Sequence, residues 1–352
     1  MNRSRLRSTI ATVTACVLAG IVANTALDAC TTFCMASGDA VLYGRNYDFD
    51  FGRGALLVNP RGLHKAGFVK DGPTWIARHG SVTFNQFGRG FPMGGINEAG
   101  LVVELMWHEK AEYPTADNRG SLGVLEWIQY QLDTASTVDD VIGSDERVRI
   151  SGQTPLHYLV ADRSGRAATI EFLSGRLLAH SGDRLPVSVL ANDSYTESLA
   201  FWRGRNGRRS GGSGSHERFA RAADALSAVK SGQPVTVDRA FAVLQDVAQK
   251  STRWSIVYDQ KQRVVHFRTD QHNPIRSVRL DGLDFACGKA VKGIDVHERV
   301  AGDITATLTD YPAARNRELV AKSYADFSGT RHAPKEEIER TAAHPWSAVC
   351  GS

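Results

Sequence analysis

The chain has 352 residues, an ordinary apolar fraction of 42% and a net charge of only +4. So small a charge at this length gives no reason to expect nucleic acid as a partner, and five cysteines are too few for a disulfide-built scaffold. The length suffices for one large domain with a substantial core, or for two smaller ones.

Residues 1–29 have the tripartite form of an export signal. Arg3, Arg5 and Arg7 give a basic start, Thr9 to Ala23 form an uncharged apolar stretch, and Leu27-Asp28-Ala29 ends on a small residue. The stretch is short for a membrane span and polar chain follows it, so the expected location is the periplasm or the exterior. No second hydrophobic run could cross a bilayer. A cut after Ala29 would leave Cys30 as the first residue, carrying both a thiol and a free α-amine, a nucleophile and a base in one residue. The rival is a lipobox reading of Leu27-Asp28-Ala29-Cys30, which would make the protein a non-enzymatic envelope lipoprotein lipidated at Cys30. Against it stands the apolar, strand-like run that follows the cysteine, where a lipoprotein would carry a polar tether.

Strands are expected over 30–37 and 40–47, joined by Gly38-Asp39 as a two-residue turn. Further strands are read at 81–87 and 100–107. Helical periodicity covers 121–133, with Leu122, Leu125, Ile128 and Leu132 on one face, and a short helix follows at 137–143. Strands return at 157–162, 166–173, 176–180 and 187–192, helices at 216–230 and 238–249, and a hairpin over 253–269. The Arg- and Gly-rich stretch 203–215 reads as a solvated loop, and the last twenty or so residues, 331–352, as a polar exposed tail. Strands grouped around helical pairs suggest an α+β layered domain over 30–330. Cys287 and Cys350 could pair in an oxidising compartment and hold the tail down. With no Cys-x-x-Cys and no His-x-x-x-His spacing among eleven scattered histidines, no metal or other cofactor is expected.

With Gly38-Asp39 as the turn, Arg45 faces Thr32 and Tyr47 faces Cys30. Cys30, Thr32 and Arg45 then share one side of the sheet, and a cation beside the thiol favours thiolate. Asp48 falls on the opposite face from Arg45 and can reach Cys30 only if the strand ends or bulges near Asn46-Tyr47.

Cys30 followed by GRNYDF at 44–49 resembles the opening of the choloylglycine hydrolase family, the bile salt hydrolases and penicillin V acylases among the N-terminal-nucleophile hydrolases. GINEAGLVVELMWH at 95–108, VLAND at 189–193, SHERF at 215–219 and TRWSIVYD at 252–259 continue the resemblance in the family's order. It implies a four-layer αββα sandwich and hydrolysis of a linear, non-peptide amide. By the same resemblance Cys30 is nucleophile and base, Arg45 and Asp48 flank it, Asn192 donates to the oxyanion, and Arg218 is a second arginine nearby. Trp107 stands where the family's bile salt hydrolases carry asparagine and many of its acylases tyrosine, which tilts the reading towards the Gram-negative penicillin-acylase-like branch. Phe91, Met93, Met106, Trp107 and Trp75 are candidates for an acyl pocket. The expected substrate is a small amide with an apolar acyl group, of penicillin V or N-acyl homoserine lactone type. A conjugated bile salt hydrolase or an acyltransferase on the same scaffold is the alternative, and a homotetramer is possible.

Overall fold

A computed structural model describes residues 30–351; the expected signal, 1–29, lies outside the described residues. Two sheets face one another. The first has seven strands, in the order Val189–Leu190, Thr31–Ser37, Ala40–Asp48, Thr252–Asp259, Val264–Thr269, Arg276–Arg279 and Gly302–Asp303. The second has nine: Arg176–Ser181, Ala167–Leu173, Leu156–Ala161, Val102–Trp107, Pro92–Asn97, Ser81–Asn85, Ala55–Asn59, Lys292–Asp295 and Thr309–Asp310. Helices Ser215–Lys230 and Val237–Asp246 cover the first sheet, and Val124–Thr134 and Val138–Gly143 the second. The layers therefore run αββα, as expected.

The core lies between the sheets, where Tyr43, Phe84, Leu159, Tyr258 and Phe267 are fully buried. The Tyr43 hydroxyl reaches across it to donate to Leu159 O at 3.0 Å. Strands covered on both faces read as near-continuous apolar runs.

The first hairpin has the expected register, with Ser37 paired to Ala40 and Thr32 to Arg45. Gly38 turns it at φ +57°, a backbone conformation that glycine adopts without a Cβ penalty. The helix expected from 121 begins at Val124, because Gly120–Leu122 pairs with Val148–Ile150 instead. The strand expected over 187–192 is only Val189–Leu190.

Other departures bear on the site. The stretch around Phe91 and Met93, outside the expected strands, enters the strand Pro92–Asn97. Helices Tyr195–Gly204 and Ala313–Asp326 had no clear sequence signal. The expected tail is polar and mostly exposed, but it is not free: helix Lys335–Ala343 buries Ala342 against Val320 and Tyr324, and Val349–Cys350 pairs with Leu63–Ala66. Cys287 and Cys350 form a disulfide that closes a separation of 63 residues. The arginine-rich loop is also partly tied down, since Arg205 holds Asp224 at 2.7 Å. Among the described residues no helix is long and apolar enough to cross a membrane.

Candidate active site

Cys30 sits at the start of the strand Thr31–Ser37, on the wall of a cavity of about 290 Å³. Arg45 reaches it from the neighbouring strand, with Nη2 3.9 Å from Cys30 Sγ. The guanidinium is fully buried and held from several sides. It donates to Met93 O at 2.7 Å and Leu105 O at 3.1 Å, and forms an ion pair with Glu104. Tyr258 donates to the same carboxylate at 2.5 Å. Gly94, paired directly to Glu104 across the sheet, leaves room for that carboxylate; a Cβ there would collide with it.

The charge balance of this group is set by burial. Burial pushes the Glu104 carboxyl up to about 7 against the pull of Arg45 and Tyr258. Burial also pulls Arg45 down, but Glu104 and then Cys30 more than reverse that. The pair is an ion pair, because the carboxylate meets two donors and the guanidinium stays charged. For Cys30 the net effect corrects the expectation from the hairpin: burial pushes the thiol above its ordinary value, and Arg45 offsets this only in part while Asp48 adds to it.

Asp48 does come to the cavity wall beside Cys30, whose thiol points to Asp48 O at 3.8 Å. The expected bulge near Asn46-Tyr47 is absent: the strand runs unbroken to Asp48 and ends there, and the register shift in its pairing lies in the adjacent strand, between Thr252 and Trp254. Thr252 donates its hydroxyl to the Asp48 carboxylate.

Arg218, buried on the helix Ser215–Lys230, ties the far side together. Its Nη1 donates to Cys30 O at 2.9 Å and to Thr31 Oγ1 at 2.7 Å, and its Nη2 to Asn192 Oδ1 at 3.4 Å. That last bond fixes the orientation of the amide, leaving Nδ2 as the donor. Asn192 Nδ2 is buried and has no hydrogen-bond partner among the described residues. A buried donor without an acceptor costs free energy unless something supplies one.

The cavity wall holds Phe91, Met93 and Trp107, three of the five candidate pocket residues. Met106 and Trp75 lie elsewhere. Side chains alternate along a strand, so Leu105 and Trp107 face the cavity while Met106 points into the core. Trp75 packs on Tyr130 and donates to Asp133 at 2.8 Å, away from Cys30. The wall also holds residues that were not foreseen: Phe49, Phe68 and Phe87, with Tyr324 and Arg340 from the two C-terminal helices and Phe327 just after the first of these. Glu104 had a signal that went unread, a lone carboxylate in the apolar run VVELMW, which can be buried only with a partner.

A sequence profile of the linear amide C–N hydrolases, choloylglycine hydrolase family, matches residues 30–206. The penicillin V acylase of Pectobacterium atrosepticum is 27% identical over 340 residues, covering 81% of this chain and 89% of that protein. Among solved structures, penicillin V acylase from Agrobacterium tumefaciens superposes with a TM-score of 0.72 at 26% identity, covering 80% of this chain and 98% of its own. A conjugated bile acid hydrolase from Clostridium perfringens shares the fold, with a TM-score of 0.65 at 16% identity over 75% of this chain and 96% of its own.

Proposed function

From the membership of this chain in the linear amide C–N hydrolases of the choloylglycine hydrolase family, we propose that Cys30 is its nucleophile and that it cleaves amides carrying an apolar acyl group, of penicillin V or N-acyl homoserine lactone type. The observation that carries this reading is the convergence, beside one aromatic-walled cavity, of a thiol, a buried cation at 3.9 Å and an arginine that joins Cys30 to a partnerless amide donor.

In this reading the signal is cut after Ala29, and the protein works outside the cytoplasm, where the Cys287–Cys350 disulfide is at home. The thiol proton passes to the freed α-amine as Sγ attacks the amide carbonyl. Burial keeps the thiol protonated until then, so a base within the same residue is what the chemistry requires. Asp48 orients the amine. The oxyanion takes its hydrogen bond from Asn192 Nδ2 and a backbone N–H, a contribution of about 3 kcal/mol per donor in comparable sites. The ammonium returns its proton to the leaving amine, giving an acyl thioester. Water, activated by the same amine, then hydrolyses the thioester, releasing the carboxylic acid and restoring Cys30.

Arg45 holds negative charge on sulfur against its burial, and Trp107 with the phenylalanines receives a flat aryl or extended alkyl chain. The test is amine release from penicillin V, a long-chain acyl homoserine lactone and glycocholate by the wild-type and Cys30→Ala enzymes. The wild type should turn over one of the first two, and Cys30→Ala, folded by circular dichroism, should turn over none. Cys30→Ser should retain the fold and lose most of the rate. Full activity in Cys30→Ala would refute the reading.

A further inference from the structure

Asn192, the proposed oxyanion donor, stands just past the end of an edge strand. Val189–Leu190 pairs with Thr31–Ser37 through Val189 to Phe33 and Leu190 to Thr32, and there the ladder stops. Side chains hold the residues that follow. From the helix Ser215–Lys230, the Ser215 hydroxyl accepts the Asn192 and Asp193 N–H groups, each at 2.9 Å, and Arg218 donates to Asn192 Oδ1. From the nine-stranded sheet, two buried histidines hold the carbonyls. His157 Nε2–H donates to Ala191 O at 2.7 Å, and His108 Nδ1–H to Asn192 O at 3.2 Å. A carbonyl only accepts, so each contact fixes which ring nitrogen carries a proton.

The two rings are themselves fixed. His108 directly follows the strand Val102–Trp107, with its backbone N–H on Pro155 O at 2.9 Å. Its ring stacks on that of His157, centroids 4.5 Å apart and planes at 15°. Behind the stack, Glu171 takes the Tyr195 N–H at 3.0 Å and faces His157 Nδ1 at 3.5 Å and His180 Nε2 at 3.4 Å. A proton on His157 Nδ1 makes the first of these contacts an ion pair and leaves Nε2–H for Ala191. Burial pushes the Glu171 carboxyl up, but His157 and then His180 draw it down to about 2, so it stays ionised. Burial and then His157 hold His108 below its ordinary value, so it stays a neutral ring whose single N–H points at Asn192.

We propose that His108, held by its stack on His157, is a positioning residue for the amide hydrolysis: it sets the backbone of Asn192 so that Nδ2 meets the oxyanion. The inference rests on the function proposed above. A donor stabilises developing charge only where its N–H is already aimed, and the side chain of a residue outside regular structure inherits every displacement of its backbone. Ser215 and Arg218 tie Asn192 to one helix, which also carries the bond to Cys30 O. His108 ties it to the opposite sheet, at the end of the strand whose Leu105 and Trp107 line the cavity. Held from both sides, the donor keeps its place relative to the nucleophile and to the wall against which a substrate would lie.

The test compares two amide side chains at one position in the mature enzyme, on whichever substrate it cleaves fastest. His108→Asn puts an amide N–H where Nδ1–H stands and keeps the bond to Asn192 O. His108→Gln puts it where Nε2 stands, towards Glu171, and loses that bond. His108→Gln should lower kcat by about 10–100-fold with KM and Tm little changed, and His108→Asn should bring kcat back near the wild-type value. Added to Asn192→Ala, His108→Gln should lower the rate hardly further, because the donor it positions is gone. A wild-type kcat in His108→Gln overturns the proposal. So do losses that multiply in the double variant, since His108 would then act elsewhere. Equal falls of kcat and Tm in both single variants overturn it too, leaving a structural role only. Cys30→Ala separates this result from the parent reading: if it is inactive while His108→Gln is fully active, only the positioning role falls, and if it is active, both fall.

Discussion

Asn192 illustrates how much rests on single atoms in this protein. Its carbonyl is taken by His108, its side-chain oxygen by Arg218 and its backbone N–H by the Ser215 hydroxyl at 2.9 Å, so Nδ2 alone has no partner among the described residues, and the proposed reaction gives it the oxyanion. Asn192→Ala should therefore lower kcat by roughly 10²–10³-fold with KM little changed, as expected of a donor used chiefly in the transition state. Steady-state kinetics on whichever amide the enzyme cleaves fastest would check this, and a KM effect alone would make Asn192 a ground-state contact. Cys34 shows the contrast with Cys30. It is a core thiol beside Gln260, pushed up to about 12 by burial, with no route to the cavity wall.

At the scale of elements, the helix Val124–Thr134 is fastened to the cavity wall by Glu126. Its carboxylate takes the Phe68 N–H at 2.6 Å and the Gly123 N–H at 3.2 Å, closing the helix N-terminus and joining it to a neighbouring loop. Burial pushes this carboxyl up to about 7, against those two bonds. The folded state thus keeps a proton that the unfolded chain gives up near 4.5. Between those values the native state binds more protons, so the Glu126 contribution to stability falls as pH rises through the window. Glu126→Gln should remove that part of the slope. Denaturation free energies of both proteins at about pH 5 and pH 8 would read it, and equal slopes would contradict the assignment.

The same scale shows what the sequence could carry. The first hairpin was legible down to register, because a Gly-Asp turn between two strand-like runs admits few pairings. Arg45 beside Cys30 followed from it. The partner that holds Asp48, the Thr252 hydroxyl, could not be read from the sequence, since it lies in a strand more than 200 positions away. The strand Pro92–Asn97 was missed because Gly94 and Gly95 look like breakers, whereas they make room for Glu104 and for the backbone of Val82.

Across the whole molecule, the C-terminal segment is mostly exposed, as its polarity implies, but its place on the body was not legible in the sequence. Lys335–Ala343 is polar enough to read as tail, yet Arg340 packs on Phe68 at 4.1 Å and the helix closes one side of the cavity. Polarity marks its outer face, and the small buried one, Thr341 and Ala342, is too short to stand out. The Cys287–Cys350 bond fastens this segment to the body. Cys287→Ser with Cys350→Ser should cost about 2–4 kcal/mol of stability and shift substrate affinity more than kcat. Thermal denaturation and KM would show it; unchanged values would mean that the helices hold their place without the bond.

The central claim is that Cys30 acts as a free N-terminal residue, and one measurement addresses it directly: the intact mass of the mature protein recovered from an exporting host, with its N-terminal residue sequenced. The expected product is a chain beginning at an unmodified Cys30. A different terminus, or a diacylglyceryl adduct on that cysteine, would contradict it.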